Sequence, residues 1–504
     1  MWILAIVAGL VLWVLYDVTQ KKHAILRNFP IIGHFRYWLE TVGPELRQYI
    51  VTNNDEEKPF SRDQRRWIYA SAKKENNYFG FGTDNDIEAT PHYLIIKHDS
   101  LAPLDLHGDD PEHTLPCAKV LGAHRGRPQR FRPTSVINVS AMSFGSLSSN
   151  AVEALNRGCS LAGCLQNTGE GGIAPHHLKG GELVWQIGTG YFGCRDGNGR
   201  FDLERFKDAC ERHPVRAVEI KLSQGAKPGL GGILPAGKIT PEIAQIRGIP
   251  MGRDCVSPPR HSAFGEVDEM LDFVELLAEA TGLPIGIKSA VGSNDFWWSL
   301  AREMGSSGRG VDFITIDGGE GGTGAAPLVF ADHVALPFRI GFARVYRIFA
   351  EQGLHEQVVF IGSGKLGMPE AAFLGLALGC DLINVARSAM LAVGCIQAQR
   401  CHSGHCPTGV ATQNGWLVRG LDPKEKAPRV ANYVRTLRKE LLRLSHACGV
   451  EHPALLGSSR IEFLQPDGAS SDLLEVFDYE EGWGRPSLED REAIREEMRV
   501  KIGL

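Results

Sequence analysis

No surplus of one charge marks this 504-residue sequence. Lys and Arg number 54 against 59 Asp and Glu, a formal net charge of −5 with the two signs interspersed. A nucleic-acid partner is therefore not expected, because a phosphate-tracking surface needs clustered basic residues. A disulfide framework is missing too. Eleven cysteines are present, and all but one group are scattered. Cys164, Cys210 and Cys380 fall in apolar stretches where a thiol serves as a small core residue. That usage fits a reducing cytosol. The N-terminus has neither the basic n-region nor the small-residue cleavage site of a secretory leader. Instead, Trp2 to Tyr16 reads WILAIVAGLVLWVLY, with no charge. This run is shorter than the about 20 residues that cross a bilayer. Lys21, Lys22 and Arg27 follow it, which by the positive-inside tendency puts the body of the chain in the cytoplasm, with Trp13 and Tyr16 at an interface. The expectation is a single-pass transmembrane anchor in the cytoplasmic (inner) membrane over residues 1–20. A buried or partner-docking helix is the alternative.

Glycine is what the sequence has in excess, 58 residues against a usual share of about 7%. Residues 21–130 form a lead-in without clear periodicity. Ile31 to Leu39 reads as an amphipathic segment near the membrane, turns are expected at Phe79–Gly82 and Asp109–Pro111, and no chemistry is evident. From 136 short apolar runs ending in Gly, Ser or Asn alternate with helical patterns. The runs are Val136–Met142, Cys164–Thr168, Val184–Tyr191, Ala217–Leu222, Pro284–Ser289, Asp312–Asp317, Val358–Gly362 and Leu382–Ala386. Helices are expected at Ser148–Ala162, Val267–Thr281, Phe296–Met304, Ala343–Gln352 and Pro369–Leu378. Continuous apolar strands alternating with helices predict a parallel sheet covered on both faces, and eight of them predict an α/β (β/α)₈ TIM barrel. The barrel domain is expected over 131–416, with insertions near 228–265 and 319–335 on the C-terminal face. A helical extension follows over 417–504, with helices at Glu425–Ala447 and Leu488–Val500 and no catalytic role.

The chemistry collects at the ends of the strands. Gly362-Ser-Gly-Lys-Leu-Gly367 matches a dinucleotide fingerprint, but the ribose-binding acid is misplaced, since Asp381 opens the next strand and does not close it. In a barrel the loops after strands seven and eight bind a phosphate on backbone N–H groups, so Gly362, Gly364, Ala386 and Arg387 suit a mononucleotide such as FMN. Asp317 to Gly324 holds five glycines in eight residues, and Gly322, Thr323 and Gly324 let the backbone run close to a flat ring. Met142 and Ser143 close strand one and Asn167 closes strand two. Lys221 and Lys288 end strands four and five, where a buried lysine needs an anion: either the cofactor or an acid such as Glu170 or Glu219. Gln224 and Lys227 extend the same rim. Arg247, on the helical stretch beyond, would clamp a carboxylate. Two cations with the carboxylate of Glu170 suit a dicarboxylate or 2-oxo acid.

Cys395, Cys401 and Cys406 form the one cysteine cluster, separated by five and then four residues. This is not a tetrahedral zinc pattern of paired C-x₂-C units, although His402 and His405 keep a Cys/His zinc site open. Three thiols without a fourth suit a three-iron cluster, or a four-iron cluster with an open corner.

Together the stretches AMSFGSLS, QNTGEGG, IKLSQGAKPG, VSPP, DGGEGGTGAAP and CIQAQRCHSGHCPTGVATQ, over about 140 to 413, resemble the FMN- and iron–sulfur-binding synthase domain of glutamate synthases. The resemblance implies FMN and a [3Fe-4S] cluster on Cys395, Cys401 and Cys406. It further implies that 2-oxoglutarate and ammonia form 2-iminoglutarate, which reduced FMN converts to glutamate, with Glu170, Lys227 and Arg247 around the oxo acid. The sequence departs from the family at Leu230 and Ile233, where polar residues are usual, and at Pro258-Pro-Arg-His-Ser262. No amidotransferase domain or NADPH-binding domain is visible. Ammonia would then be free or come from a partner, and electrons would come from a ferredoxin, a reductase subunit or the quinone pool. Two rival readings remain. An FMN-dependent 2-hydroxy or amino acid dehydrogenase would need a rim histidine, for which His176, His177 and His261 lack strand-end placement. A non-catalytic electron-transfer subunit would tolerate Leu230 and Ile233.

Overall fold

The structure is a computed structural model that describes residues 2–102 and 110–502; of the turn expected at Asp109–Pro111, Asp109 lies outside them. It divides into two compact units, residues 1–66 and 67–504.

In the first unit an apolar helix, Trp2–Thr19, is exposed along nearly its whole length. Its buried residue is Asp17, whose carboxylate accepts the Ile31 N–H at 2.9 Å and pairs with His34 Nε2 at 2.9 Å. Among the described residues this is the one helix long and apolar enough to cross a membrane. The helix Ile32–Leu46 runs on into a widened turn, Arg47–Val51, and leaves Ile32, Phe35, Trp38 and Leu39 exposed. That matches the amphipathic segment expected there.

In the second unit eight parallel strands close into a barrel. They are β1 Ile137–Val139, β2 Gln166–Asn167, β3 Leu183–Ile187, β4 Val215–Lys221, β5 Ile285–Ser289, β6 Phe313–Asp317, β7 Val359–Ser363 and β8 Leu382–Val385. All eight fall within or across the expected runs. Closure is by β8 against β1, with Ile383 opposite Ile137. Both faces of these strands are buried, so their sequences are nearly continuous apolar runs and not alternating ones. A turn bridged at Leu121 and Phe131 brings Cys117, Leu121 and Phe131 into the barrel core beside Ala217, Phe313 and Ile361.

Each helix sits where strand polarity requires. Ser148 caps the helix Ser149–Ala162 by accepting the Ala151 N–H at 3.2 Å, and Gly163 ends it in the left-handed region. Helices Val267–Thr281, Asp295–Ser307, Phe338–Glu351 and Pro369–Ala377 cover the later strands. The insertion after β4 carries a short hairpin, Ile233–Leu234 against Cys255–Val256, around the helix Pro241–Arg247. The insertion after β6 carries the helix Leu328–His333. Both lie at the C-terminal ends of the strands. The tail helix Pro423–Ala447 packs on Ser149–Ala162 so closely that a Cβ on Gly158 would stand 2.5 Å from Val430 Cβ. The lead-in is more ordered than its sequence implied: Leu94–Ile96 pairs antiparallel with Ile461–Leu464, which pairs in turn with Ser470–Asp472.

Candidate active site

At the mouth of the barrel Glu170, in the loop after β2, accepts from Lys221 Nζ at 2.7 Å; the same nitrogen donates to Gln224 Oε1 at 2.7 Å. Burial pushes the Glu170 carboxyl up, but Lys221, then Lys227 and Arg247, outweigh it and hold it below the usual carboxylate range. The pocket around this acid is shaped by glycines. A Cβ on Gly188 would lie 2.6 Å from one Glu170 oxygen, and a Cβ on Gly232 would lie 2.8 Å from the other. Lys227 is buried. Burial and then the neighbouring Lys221 lower its pKa, against the pull of Glu170. Among the described residues it has no ion-pair partner within 4.0 Å. Arg247 ends its helix buried, with Nη2 donating to the Phe144 carbonyl at 3.0 Å and the guanidinium over the Phe192 ring at 5.2 Å. The three residues expected around an oxo acid are thus brought to one place.

The cofactor candidates divide into two groups. Lys288 pairs with Asp317 at 3.6 Å. Asp317 also takes the Gly225 N–H at 2.9 Å and the Ser363 hydroxyl at 2.8 Å, so one carboxylate joins the ends of β5, β6 and β7 to the loop after β4. Lysine pairing with a barrel-mouth acid therefore occurs, with Glu170 for Lys221 and with Asp317 for Lys288. Glu219 instead lies inside the barrel and accepts from Asn167, Gln186 and Thr315 at 2.8, 2.6 and 2.7 Å. Asn167 consequently turns its amide nitrogen inward, and its Oδ1 accepts the Gly169 N–H at 3.0 Å. Met142 and Ser143 are buried, the latter against Gly169 and Gly171. Arg387 donates to the Glu320 carbonyl, and a Cβ on Gly322 would meet its Cδ at 2.7 Å. Thr323 Oγ1 donates to the Ala325 carbonyl at 3.4 Å, and Gly324 lies beside Ser146. Gly362 is within β7, Gly364 follows it with φ +132°, and Ala386 precedes the short helix Arg387–Val393. Asp381, the misplaced ribose acid, is bound to Lys119 at 3.1 Å at the opposite end of β8. At the barrel mouth Lys221, Lys227, Arg247, Lys288 and Arg387 outnumber Glu170, Asp317 and Glu320. That donor set fits an anionic cofactor beside an anionic substrate.

The cysteines lie on the irregular segment after Arg387–Val393. Cys406 is buried, Cys395 and Cys401 are half-buried, and His402 and His405 are exposed. The backbone is held from several sides. Tyr69 donates to the Cys395 carbonyl and Lys238 to the Cys401 carbonyl, both at 2.7 Å. Gln397 and Gln399 sit at φ +59° and +53°, a region that disfavours side chains. Burial and then Cys406 raise the Cys401 pKa, opposed by Lys238. Among the described residues no three Cys or His ligand atoms lie within 4.8 Å of one another; with both histidines exposed, the cysteines alone are left as donors, which suits iron–sulfur ligation better than compact mixed Cys/His zinc.

The three rim histidines have other duties. His176 pairs with Glu242 at 2.9 Å. His177 is buried and accepts the Ala174 N–H on Nδ1 at 3.0 Å. His261 joins the Tyr191 hydroxyl at 3.0 Å to the Lys221 carbonyl at 2.9 Å. Of the departures from the family, Ile233 is 42% exposed and stands opposite Val256, 66% exposed, on the hairpin next to Gly232. Residues that sequence reasoning did not single out are Asp317 as a hub, Gly188 and Gly232 as walls, and Lys238. Asp317 was visible as the last residue of a strand. The rest act through contacts made by distant segments.

The family model for the conserved region in glutamate synthase matches residues 119–451. The chain is 38% identical over 507 residues to the glutamate synthase large subunit-like protein YerD of Bacillus subtilis, covering 93% of this chain and 95% of that protein. It is 35% identical over 347 residues to an archaeal NADPH glutamate synthase of Methanocaldococcus jannaschii, covering 68% of this chain and 64% of that protein. Similarity to an archaeal-type NADPH glutamate synthase of Thermotoga maritima is 34% over 315 residues, 62% of this chain and 59% of that protein. The chain therefore spans less than two thirds of the latter two relatives.

Proposed function

Because the chain belongs to the glutamate synthase family, we propose that it reductively aminates a 2-oxo acid, 2-oxoglutarate in the first instance, to the amino acid, using FMN and a [3Fe-4S] cluster. Its relatives make it an oxidoreductase of the amino-acid class. The observation that carries the finer reading is the convergence of Glu170, Lys227 and Arg247 beside the cationic strand ends.

When bound and reduced, FMN would supply the hydride. The chain's own residues do the rest. Arg247, fixed by the Phe144 carbonyl and the Phe192 ring, presents its remaining guanidinium edge to a carboxylate. Lys227, without an ion pair, neutralises a second carboxylate or polarises the oxo group. Glu170 is ionised at neutral pH, fixes Lys221 and offers its second oxygen to an incoming ammonium. Lys221, Lys288 and Arg387 supply positive charge for the flavin ring and phosphate, and Gly322, Thr323, Gly324, Gly362, Gly364 and Ala386 let the backbone approach. Met142, Ser143, Asn167 and Gln224 complete the cofactor wall. Cys395, Cys401 and Cys406 would hold the cluster, which would supply one-electron chemistry, and a ferredoxin, a reductase subunit or the quinone pool would be the electron donor. Trp2–Thr19 anchors the chain in the cytoplasmic membrane with the barrel on the cytoplasmic side.

The test is to reduce the full chain anaerobically and mix it with 2-oxoglutarate and ammonium. Flavin reoxidation together with glutamate formation is expected. Reoxidation by a different 2-oxo acid alone would move the substrate assignment. If no 2-oxo acid reoxidises the flavin while 2-hydroxy acids reduce it, the dehydrogenase reading replaces this one.

A further inference from the structure

Lys238 is a buried lysine far in sequence from everything it touches. It closes the turn Ala236–Lys238 in the insertion after β4 and is 5% exposed. Its Nζ donates to the carbonyls of Cys401 at 2.7 Å, Ala411 at 3.1 Å and Ser146 at 3.3 Å. An ammonium has three donors, and all are used on neutral acceptors. Among the described residues no Asp or Glu oxygen lies within 4.0 Å of it. The nearby groups able to carry negative charge are the sulfurs of Cys401 and Cys406.

A buried cation with no counter-anion is costly. The other lysines of the site differ. Lys221 and Lys288 have acids against them, and Lys227 stands beside Glu170. The carbonyls satisfy the hydrogen bonds of Lys238 but leave its charge uncompensated. A thiolate-bound iron–sulfur centre removes the imbalance, because its thiolates and sulfides outweigh the ferric charge. Such a centre grows more negative on reduction, so a fixed cation beside it favours the reduced form. The same three bonds tie the cysteine segment to the loop after β1. Further hydrogen bonds join those segments, among them the Ser148 hydroxyl to the Gly409 carbonyl at 2.6 Å and the Gln413 amide to the Leu147 carbonyl at 2.8 Å.

We propose that Lys238 is the built-in counter-cation of the metal centre on Cys395, Cys401 and Cys406, a positioning residue that raises the centre's reduction potential and pins its loop beside the strand-one loop. The assignment rests on the cluster reading above. Tyr69 is the matched control, since it holds the Cys395 carbonyl without bringing charge.

The experiment measures iron and acid-labile sulfide per chain, then follows the centre by EPR during a redox titration of wild type, Lys238→Gln, Lys238→Arg and Tyr69→Phe. In Lys238→Gln the oxidised-to-reduced ratio at a fixed potential should rise at least tenfold, a midpoint lower by about 59 mV or more for a one-electron couple. Lys238→Arg and Tyr69→Phe should stay within about threefold of wild type, by the same conversion. An unchanged midpoint in Lys238→Gln overturns the proposal, as does an equal shift in Tyr69→Phe. If Lys238→Gln folds but assembles no centre, assembly in Lys238→Arg supports the charge role and failure there overturns it. If Lys238→Gln does not fold, Lys238→Arg decides alone: an intact centre at the wild-type midpoint supports the proposal, and loss of the centre overturns it. Wild type without iron or sulfide sinks the cluster reading itself, a distinct result.

Discussion

Glu170 is held between Gly188 and Gly232, and neither wall has room for a methyl group. Gly232→Ala would place a Cβ 2.8 Å from Oε1, the oxygen that receives Lys221. The carboxylate is the movable partner, so it would swing away while the hairpin keeps its shape. A displacement of about 1 Å at a reacting group can cost about 10²-fold. A fall of that order in kcat/KM for the oxo acid is expected, with the thermal midpoint shifted by no more than a few degrees; unchanged kinetics would remove Glu170 from the site. His261 gives a second check. Burial lowers its pKa to about 4, against the bond to the Lys221 carbonyl and the pull of Glu170, while the unfolded value is about 6.5. Between these values the unfolded chain binds the extra proton. The stability that neutral His261 supplies is therefore complete above about pH 6.5 and lost as pH falls to about 4, up to roughly 3 kcal/mol. His261→Gln should flatten the pH dependence of the thermal midpoint across that window. At this scale the sequence was legible where a residue type is unusual for its place, as with lysines ending apolar strands or three clustered thiols. Lys238 was not legible, because one lysine in GKIT reads as surface until the fold brings Cys401, Ala411 and Ser146 around it.

The barrel strands were readable because a strand buried on both faces has a continuous apolar run, and each run here ends in a loop signal. The helix Leu203–Arg212 escaped notice for the opposite reason: LERFKDACER is mostly charged, and Phe206 is its one buried residue. The strand Leu94–Ile96 escaped because its partner, Ile461–Leu464, is hundreds of residues away and three residues carry no period. The tail helix Pro423–Ala447 was expected, but its docking site was not. Gly158 records that docking, since it lies in a helix where Ala would normally be favoured by about 1 kcal/mol. Here the Cβ would sit 2.5 Å from Val430 Cβ and 2.9 Å from the Ala427 carbonyl. Gly158→Ala should therefore destabilise the chain by about 1–3 kcal/mol through overpacking, read as a lower denaturant midpoint. Adding Val430→Ala should recover only part of the loss, because the Cβ at 430 and the Ala427 carbonyl still stand in the way. Stabilisation by the single change would mean that the two helices do not pack as described.

For the whole molecule the outstanding question is what the N-terminal helix does. Trp2–Thr19 has 18 residues, roughly 27 Å at about 1.5 Å per residue, against a hydrocarbon core of about 30 Å. A helix of that length spans only with little tilt or with local thinning. Its side chains are exposed from Trp2 to Tyr16, apart from the partly covered Val14, and an apolar surface of that extent needs lipid or a partner to cover it. Asp17 is the charge that lies on the helix, at its C-terminal end, where His34 and the Ile31 N–H satisfy it. Lys21, Lys22 and Arg27 follow immediately. A lipid-spanning role predicts that the full chain stays in the membrane fraction through an alkaline carbonate wash. Deleting residues 2–19 should move it to the soluble fraction with an unchanged flavin spectrum, because no site residue lies in the first unit. Release of the intact chain by carbonate would favour a helix that docks on a protein. Retention of the shortened chain would place the attachment on another exposed surface, of which Ile32, Phe35 and Trp38 are the nearest in sequence.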